Sequence, residues 1–476
     1  MDRRQFLRSA AGGTAAVMLH LTGCKSAPAK NRNTAKQPNI LFIMVDDLGP
    51  EWLSCYGGQE MKTPNIDMLA EGGMRFTNAY SMPQCTPTRA TLLTGQYPFR
   101  HGWCNHWDVP RWGAGCHFDP KYNYSFARML KKAGYVTAAA GKWQINDFRV
   151  QPDTMQQHGF DEHCIWTGYE SQNPPSAERY WHPYINTKQG SQTYKGRFGT
   201  DVFADFLIDF MKRRKSEPMM LYFPMVLTHG PLTTTPHDPD AEGKMEQFKA
   251  MVRYTDLAVG RLIKTLDELN IRDNTIVFFT TDNGTSGGIS ARMNGRLVKG
   301  GKASLGEPGP GAPFIVNCPG LVPAGVVTDA LTDFTDMMPT FAELAAAKLP
   351  KDVTIDGRSI AKLILGKTND SPRKWIMAMG FGAARLTAEG VTPKMKFTDR
   401  VVRNKQYKLW VLNGKSAKLF DLLADPAETK NLIDSTDSKV IAARKKLEAV
   451  ICTFPAEDAK PKYDPTPPQP WDKKPD

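Results

Sequence analysis

Cysteine is scarce in this 476-residue chain, with eight in all and no Cys-x-x-Cys pair among them. That argues against a thiolate zinc site. Beyond the first two dozen residues no stretch is long and apolar enough to span a membrane. No block of Lys and Arg interleaved with aromatics lies along one helix, so the formal net charge of +12 does not point to nucleic acid. No repeat of solenoid period recurs. What is present suits an ordinary globular protein. Charged residues make up 23% and hydrophobic ones 41%, enough for a large core in one big domain plus a smaller one. The surplus of base favours an anionic substrate.

Residues 1–24 look like an export signal. Asp2-Arg3-Arg4-Gln5-Phe6-Leu7 resembles a twin-arginine motif, addressed to the twin-arginine export machinery. Ala10 to Leu21 is too short and too weakly apolar to remain as a spanning helix. Leu21-Thr22-Gly23-Cys24 resembles a bacterial lipoprotein box, with Cys24 as the lipid carrier; a plain signal peptide cut elsewhere is the alternative. Residues 25–37 read as a polar tether. The expectation is an exported protein, periplasmic or at the cell surface, held to the membrane only by an N-terminal lipid. Export would permit disulfides, and Cys104 and Cys116, which flank a Trp/Gly-rich loop, could be bridged.

Ile40-Leu41-Phe42-Ile43-Met44-Val45 is a continuous apolar run that stops at Asp46-Asp47. Such runs fit strands buried on both faces of a parallel sheet. The form recurs. Residues 135–140 lead into Gly141-Lys142-Trp143-Gln144, 220–227 into Thr228-His229, and 276–279 into Thr281-Asp282-Asn283-Gly284. Helical patterns at 64–72, 124–133, 202–214 and 245–269 alternate with them. The fold class is therefore α/β, a large, mostly parallel central sheet flanked by helices. Ligands of such sheets bind at the carboxyl ends of the strands, so Asp46, Asp47, Lys142, His229, Asp282 and Asn283 are expected neighbours. Adjacent carboxylates need a positive partner, and hard oxygen donors suit Ca²⁺ or Mg²⁺ over zinc. A Gly/Pro-rich loop from Gly300-Gly301-Lys302 to Gly311 offers close backbone approach. After Leu365 short strands at 375–379, 400–402, 407–412 and 418–422, with a helix at 438–451, predict a smaller C-terminal antiparallel-sheet subdomain. Residues 460–476 read as a loose tail. The boundaries are thus 38–366 for the main domain and 367–476 for the C-terminal subdomain and tail.

Cys85-Thr86-Pro87-Thr88-Arg89 organises the rest. Thr86 can cap a helix whose first turn holds Pro87, with Gly95 as its stop. Cys85 then lies at the positive end of the helix dipole, with Arg89 about one turn further along the same side. A buried free cysteine before an ordinary helix is the plain alternative.

Cys-x-Pro-x-Arg resembles the signature of the sulfatase family. The likeness extends along the chain. Pro38-Asn39-Ile40-Leu41, Asp46-Asp47, Cys55-Tyr56-Gly57, Thr63-Pro64-Asn65-Ile66-Asp67, Leu93-Thr94-Gly95, His101-Gly102, Thr281-Asp282-Asn283-Gly284, Gly301-Lys302 and Leu419-Phe420-Asp421-Leu422 are similar to its motifs in order. The resemblance implies hydrolysis of sulfate esters, on a sulfated carbohydrate. Cys85 is oxidised to formylglycine by a formylglycine-generating enzyme, and Asp46, Asp47, Asp282, Asn283 and residue 85 hold a calcium ion. One hydroxyl of the hydrated aldehyde attacks sulfur and the other then expels sulfate. Arg89 orients the nucleophile; Lys142, His229 and Lys302 bind sulfate oxygens, with His229 a candidate acid. Two departures stand out. Gln144 replaces the family's usual histidine, and a glutamine can bind substrate oxygen but cannot act as an acid; His229 or His106 would then carry that duty. Gly311 stands near where an arginine is common. Other readings are a phosphodiesterase or phosphonate hydrolase on the same scaffold, and a non-catalytic sulfoglycan-binding lipoprotein. Trp103, Trp107 and Trp112 could stack on sugars or simply pack locally.

Overall fold

A computed structural model describes residues 37–109, 115–168 and 177–472. The export signal, Cys24, the tether up to residue 36 and Trp112 lie outside them.

Ten strands form one sheet. From edge to edge they are Val326–Asp333, Met74–Tyr80, Phe314–Asn317, Thr275–Thr281, Asn39–Val45, Met219–Pro224, Val136–Lys142, Glu162–Trp166, Tyr184–Thr187 and Gly190–Thr193. The five from Thr275–Thr281 to Glu162–Trp166 are parallel throughout. Phe314–Asn317 is antiparallel to both neighbours, and a hairpin closes the far edge. The sheet is thus mixed but mostly parallel.

Every residue of Asn39–Val45 is buried, and the alternation of side chains across a strand divides them between two cores. Ile40, Phe42 and Met44 pack with Leu92, Leu93, Phe126 and Phe341 on one face. Leu41, Ile43 and Val45 pack with Phe203, Leu207, Phe248 and Leu262 on the other. The helices Cys85–Thr94, Phe126–Lys132 and Met337–Leu344 cover the first face; Gly199–Arg214 and Gly243–Glu268 cover the second. Pro224 ends its strand rather than breaking it, since a residue at the strand's end need not donate to the ladder.

A separate four-stranded antiparallel sheet, Ile376–Met379, Arg400–Arg403, Tyr407–Leu412 and Lys415–Asp421, follows with the helix Ser438–Ile451. Glu307 of the Gly/Pro loop is sunk against this sheet. Arg403 Nη1 lies 2.8 Å and Lys408 Nζ 2.9 Å from its carboxylate, Tyr80 donates its hydroxyl to it, and its own N–H donates to Glu428. Burial works to raise the Glu307 pKa, but Lys408, Arg403 and Tyr80 hold it at about 2. A carboxyl depressed on folding stabilises fully above its ordinary value near 4.5 and loses that contribution as pH falls toward 2. Glu307→Ala leaves two buried cations short of a partner, so it should cost about 3 kcal/mol in urea unfolding at neutral pH. The gap between variant and parent should narrow on acidification through that window; a gap independent of pH would show that the carboxylate is not the cause.

The tail differs from the expected loose end. Ala459 N–H donates to Phe99 O and Thr466 N–H to Gly115 O. Trp471 donates to Asp147 under the Arg149 guanidinium, 3.7 Å from its ring centroid. A Cβ on Gly102 would stand 2.2 Å from the backbone of Lys460, so the absent side chain is what admits the strap. The tail's aromatic rings provide the contacts that its composition hid. The proposed Cys104–Cys116 bridge is absent. All seven cysteines among the described residues are free, and Cys104 donates to Pro98 O instead.

Candidate active site

Register brings the polar strand ends together. Val45 pairs with Thr281, Met44 with Pro224, and Ala139 with Tyr222. Chains leaving one sheet edge at matched heights place Asp46-Asp47, Asp282-Asn283, Lys142 and Thr228-His229 side by side. Asp282 N–H donates to Val45 O and Asp46 N–H to Leu227 O, which ties three of these turns. Asp47 has φ of 63°, a left-handed conformation that Asp tolerates better than most residues. Gly141 is held at φ of 126° with no room for a Cβ, which would meet Pro224 O at 1.9 Å.

The helix Cys85–Thr94 starts two residues earlier than the sequence suggests, with Gln84 rather than Thr86 at its N-cap. Thr86 instead donates its hydroxyl to Trp107 O. Gly95, at φ of 67°, ends the helix as expected. Arg89 donates to Asp282 Oδ2 at 2.7 Å and lies 3.9 Å from Asp46 Oδ2. Lys142 Nζ lies 2.7 Å from Asp46 Oδ2. Lys302 Nζ lies 2.7 Å from Asp47 Oδ1, and Asn283 Nδ2 donates to that same oxygen at 2.7 Å. His229 Nε2 stands 3.8 Å from Asp47 Oδ2, while its Nδ1 is 2.7 Å from Gly230 O. A ring nitrogen beside a carbonyl carries the hydrogen, so only Nε2 can exchange a proton with the site. Gln144 has its Oε1 buried without a partner.

His106 and Asp108 complete the group. His106 Nδ1 lies 3.6 Å from Cys85 Sγ and its Nε2 lies 3.3 Å from Asp108 Oδ2. Burial works to raise the Cys85 thiol, but Lys142, His106 and Lys302 draw it down to about 6. Burial works against protonation of His106, yet Asp108 and Cys85 hold it up to about 10. Asp108 carried no signal in the sequence, since one aspartate in a long loop is unremarkable until the loop folds over residue 85.

The donor set fits a hard cation. Asp46, Asp47 and His229 offer ligand atoms within 4.8 Å of one another. Asp46 Oδ1 and Asn283 Oδ1 are buried with no hydrogen-bond donor, a costly state for such oxygens. Burial and then Asp46 push the Asp282 carboxyl well above its usual range, whereas Lys142, His229 and Arg89 overcome burial to hold Asp46 well below it. The Gly/Pro loop closes on this group. A Cβ on Gly284 would meet Pro308 O at 1.7 Å, and one on Gly311 would meet Glu307 O at 2.5 Å. The position near which an arginine is common in the family is thus shut to a side chain here.

The sulfatase family profile matches residues 38–347. The chain belongs to the sulfatase family. It is a sulfuric ester hydrolase. A second profile, N-sulphoglucosamine sulphohydrolase, C-terminal, matches residues 302–452 of this sulfatase. Human arylsulfatase A is 32% identical over 467 residues, covering 87% of each chain. The N-acetylgalactosamine-6-O-sulfatase of Bacteroides thetaiotaomicron is 28% identical over 501 aligned residues, covering 90% of this chain and 96% of its own. Among solved structures, Ps i-CgsB in complex with k-i-k-neocarrahexaose superposes with a TM-score of 0.73 at 25% identity, covering 90% of this chain and 95% of that one.

Proposed function

We propose that this sulfatase removes sulfate from carbohydrate, with residue 85 converted from cysteine to formylglycine by a formylglycine-generating enzyme and a calcium ion held by Asp46, Asp47, Asp282 and Asn283. The observation that carries it is the convergence of Cys85, at the start of a buried helix, with three cations and a set of unsatisfied oxygen acceptors. Support for a sugar comes from the relatives, one named for N-acetylgalactosamine and one solved with a carrahexaose.

The hydrated aldehyde at position 85 supplies the nucleophilic oxygen, and the cation supplies charge stabilisation at that oxygen. Magnesium is the alternative ion. Arg89, locked to Asp282, keeps residue 85 and the acidic cluster in one frame. Lys142 and Lys302 are now paired with Asp46 and Asp47; both ammonium groups face the site, where they bind sulfate oxygens that gain charge at the transition state. Gln144 directs its amide at substrate oxygen. His229 turns Nε2 to the site as an acceptor, since Nδ1 carries the hydrogen and burial draws the ring down to about 3. It can protonate the departing alcohol only after taking up a proton released within the site. The N-terminal motifs support export and lipid attachment at Cys24, which would place the enzyme where extracellular glycans are met.

Mass spectrometry of the peptide containing residue 85, from a host with the converting enzyme, should show net loss of hydrogen sulfide and gain of oxygen. The same protein should hydrolyse an aryl sulfate faster than an aryl phosphodiester. An unmodified cysteine, or a preference for the phosphodiester, would refute the reading. A panel of sulfated mono- and oligosaccharides then tests the carbohydrate assignment.

A further inference from the structure

Trp103 and Trp107 are 2% and 0% exposed and belong to the core, so neither can lie against a sugar. Among the described residues two aromatic rings are classed as exposed, Tyr122 and Phe381. Tyr122 gives its hydroxyl to Asp464 at 2.6 Å, so its polar end already has a partner in the tail. Phe381 is 48% exposed and has no polar end to account for that position. A single exposed apolar side chain is ordinary on a protein surface; what singles out Phe381 is that its loop is bonded to the residue beside Cys85.

Its placement ties it to residue 85. His106, 3.6 Å from Cys85 Sγ through Nδ1, donates its backbone N–H to Gly382 O at 3.0 Å and accepts from Ala384 N–H at 3.0 Å. The segment carrying Phe381 is thus laid along His106 as a short strand bridge. Asn105 fixes the other side. Its buried amide donates from Nδ2 to Phe381 O at 2.8 Å and accepts at Oδ1 from Lys394 N–H at 2.9 Å. One side chain therefore holds both Phe381 and Lys394. Lys394 Nζ stands 4.9 Å from the Phe381 ring centroid and makes no ion pair among the described residues. Gly382, at φ of 70°, has no side chain, and a Cβ there would stand 3.2 Å from Lys394 Nζ. The Lys394 ammonium lies over one face of the Phe381 ring, so a pyranose bearing an anionic group would set its C–H face against the part of the phenyl left open, with its sulfate or carboxylate meeting the lysine.

We infer that Phe381 and Lys394, clamped by Asn105, form a subsite for the sugar residue adjoining the one that is desulfated. The inference rests on the carbohydrate reading above and makes the enzyme one that prefers oligosaccharides to simple sulfate esters. The test compares para-nitrophenyl sulfate with oligosaccharides of sulfated N-acetylgalactosamine and of sulfated galactose. For Phe381→Ala, the ratio of oligosaccharide to aryl-sulfate catalytic efficiency should fall about tenfold, carried by KM. Lys394→Ala should lower the same ratio several-fold and weaken its dependence on salt. Phe381→Tyr should restore it. An unchanged ratio in Phe381→Ala would overturn the subsite, as would an equal loss on both substrates, which would mean that the change acts through His106. If the parent enzyme cleaves aryl sulfate but none of the oligosaccharides, the carbohydrate reading itself fails and takes the subsite with it.

Discussion

Cys85→Ala should abolish hydrolysis of an aryl sulfate while the protein stays folded. Removing a covalent nucleophile from a working site costs on the order of 10⁴-fold or more. The side chain lost is small, so the structural cost should be about 1 kcal/mol and the thermal midpoint should move by only a few degrees. Among the described residues, the hydroxyls of the same helix turn are committed elsewhere. Thr86 gives its hydroxyl to Trp107 O and Thr88 gives its own to Asp282 O. Retained activity above about one part in a hundred would refute the assignment of residue 85; a collapse of the thermal transition would instead show that Cys85 serves the fold.

Chelation is the second large effect. Protein dialysed against EDTA should lose activity and melt at a lower temperature, and added calcium should restore both. Asp46 Oδ1 and Asn283 Oδ1, buried without donors, gain a partner when the ion binds. At a thousandfold excess over its Kd an ion adds about 4 kcal/mol to the folded state by mass action. Magnesium, with its stricter geometry and its reluctance to shed water, should give a smaller shift. Asn283→Ala should remove most of the calcium response, because it deletes one of the proposed ligands and also the amide that orients Asp47. Equal melting temperatures with and without calcium would mean that the acidic cluster is satisfied by Arg89, Lys142 and Lys302 alone.

Much of this site was legible because it lies at the ends of strands. A run such as Ile40 to Val45 fits a strand buried on both faces, and the carboxylates that end it then sit at the sheet's edge. Lys142, Asp282 and His229 follow by the same reasoning, and the contacts of Lys142 with Asp46 and of His229 with Asp47 lie where it put them. Loop residues had no such frame. The partnership of His106 with Asp108 depends on how residues 103–109 cross the Cys85 helix. The grip of the C-terminal sheet on Glu307 depends on a contact between segments about a hundred positions apart. Trp103 and Trp107, marked as candidate sugar platforms, proved to be core, and the exposed ring came from a segment with no distinguishing pattern.

By itself the sequence determined the α/β class, the order of the main elements and the set of acidic, amide and cationic residues at the strand ends. Hydrophobic period and strand punctuation are local properties, and they persist whatever the rest of the chain does. Tertiary structure alone decided which oxygen of each carboxylate is paired and which is left open, where the tail lies, and that Phe381 is exposed next to the His106 segment while Trp103 and Trp107 are core. Those outcomes depend on close packing between segments distant in the chain, where a shift of one ångström exchanges a buried side chain for an exposed one.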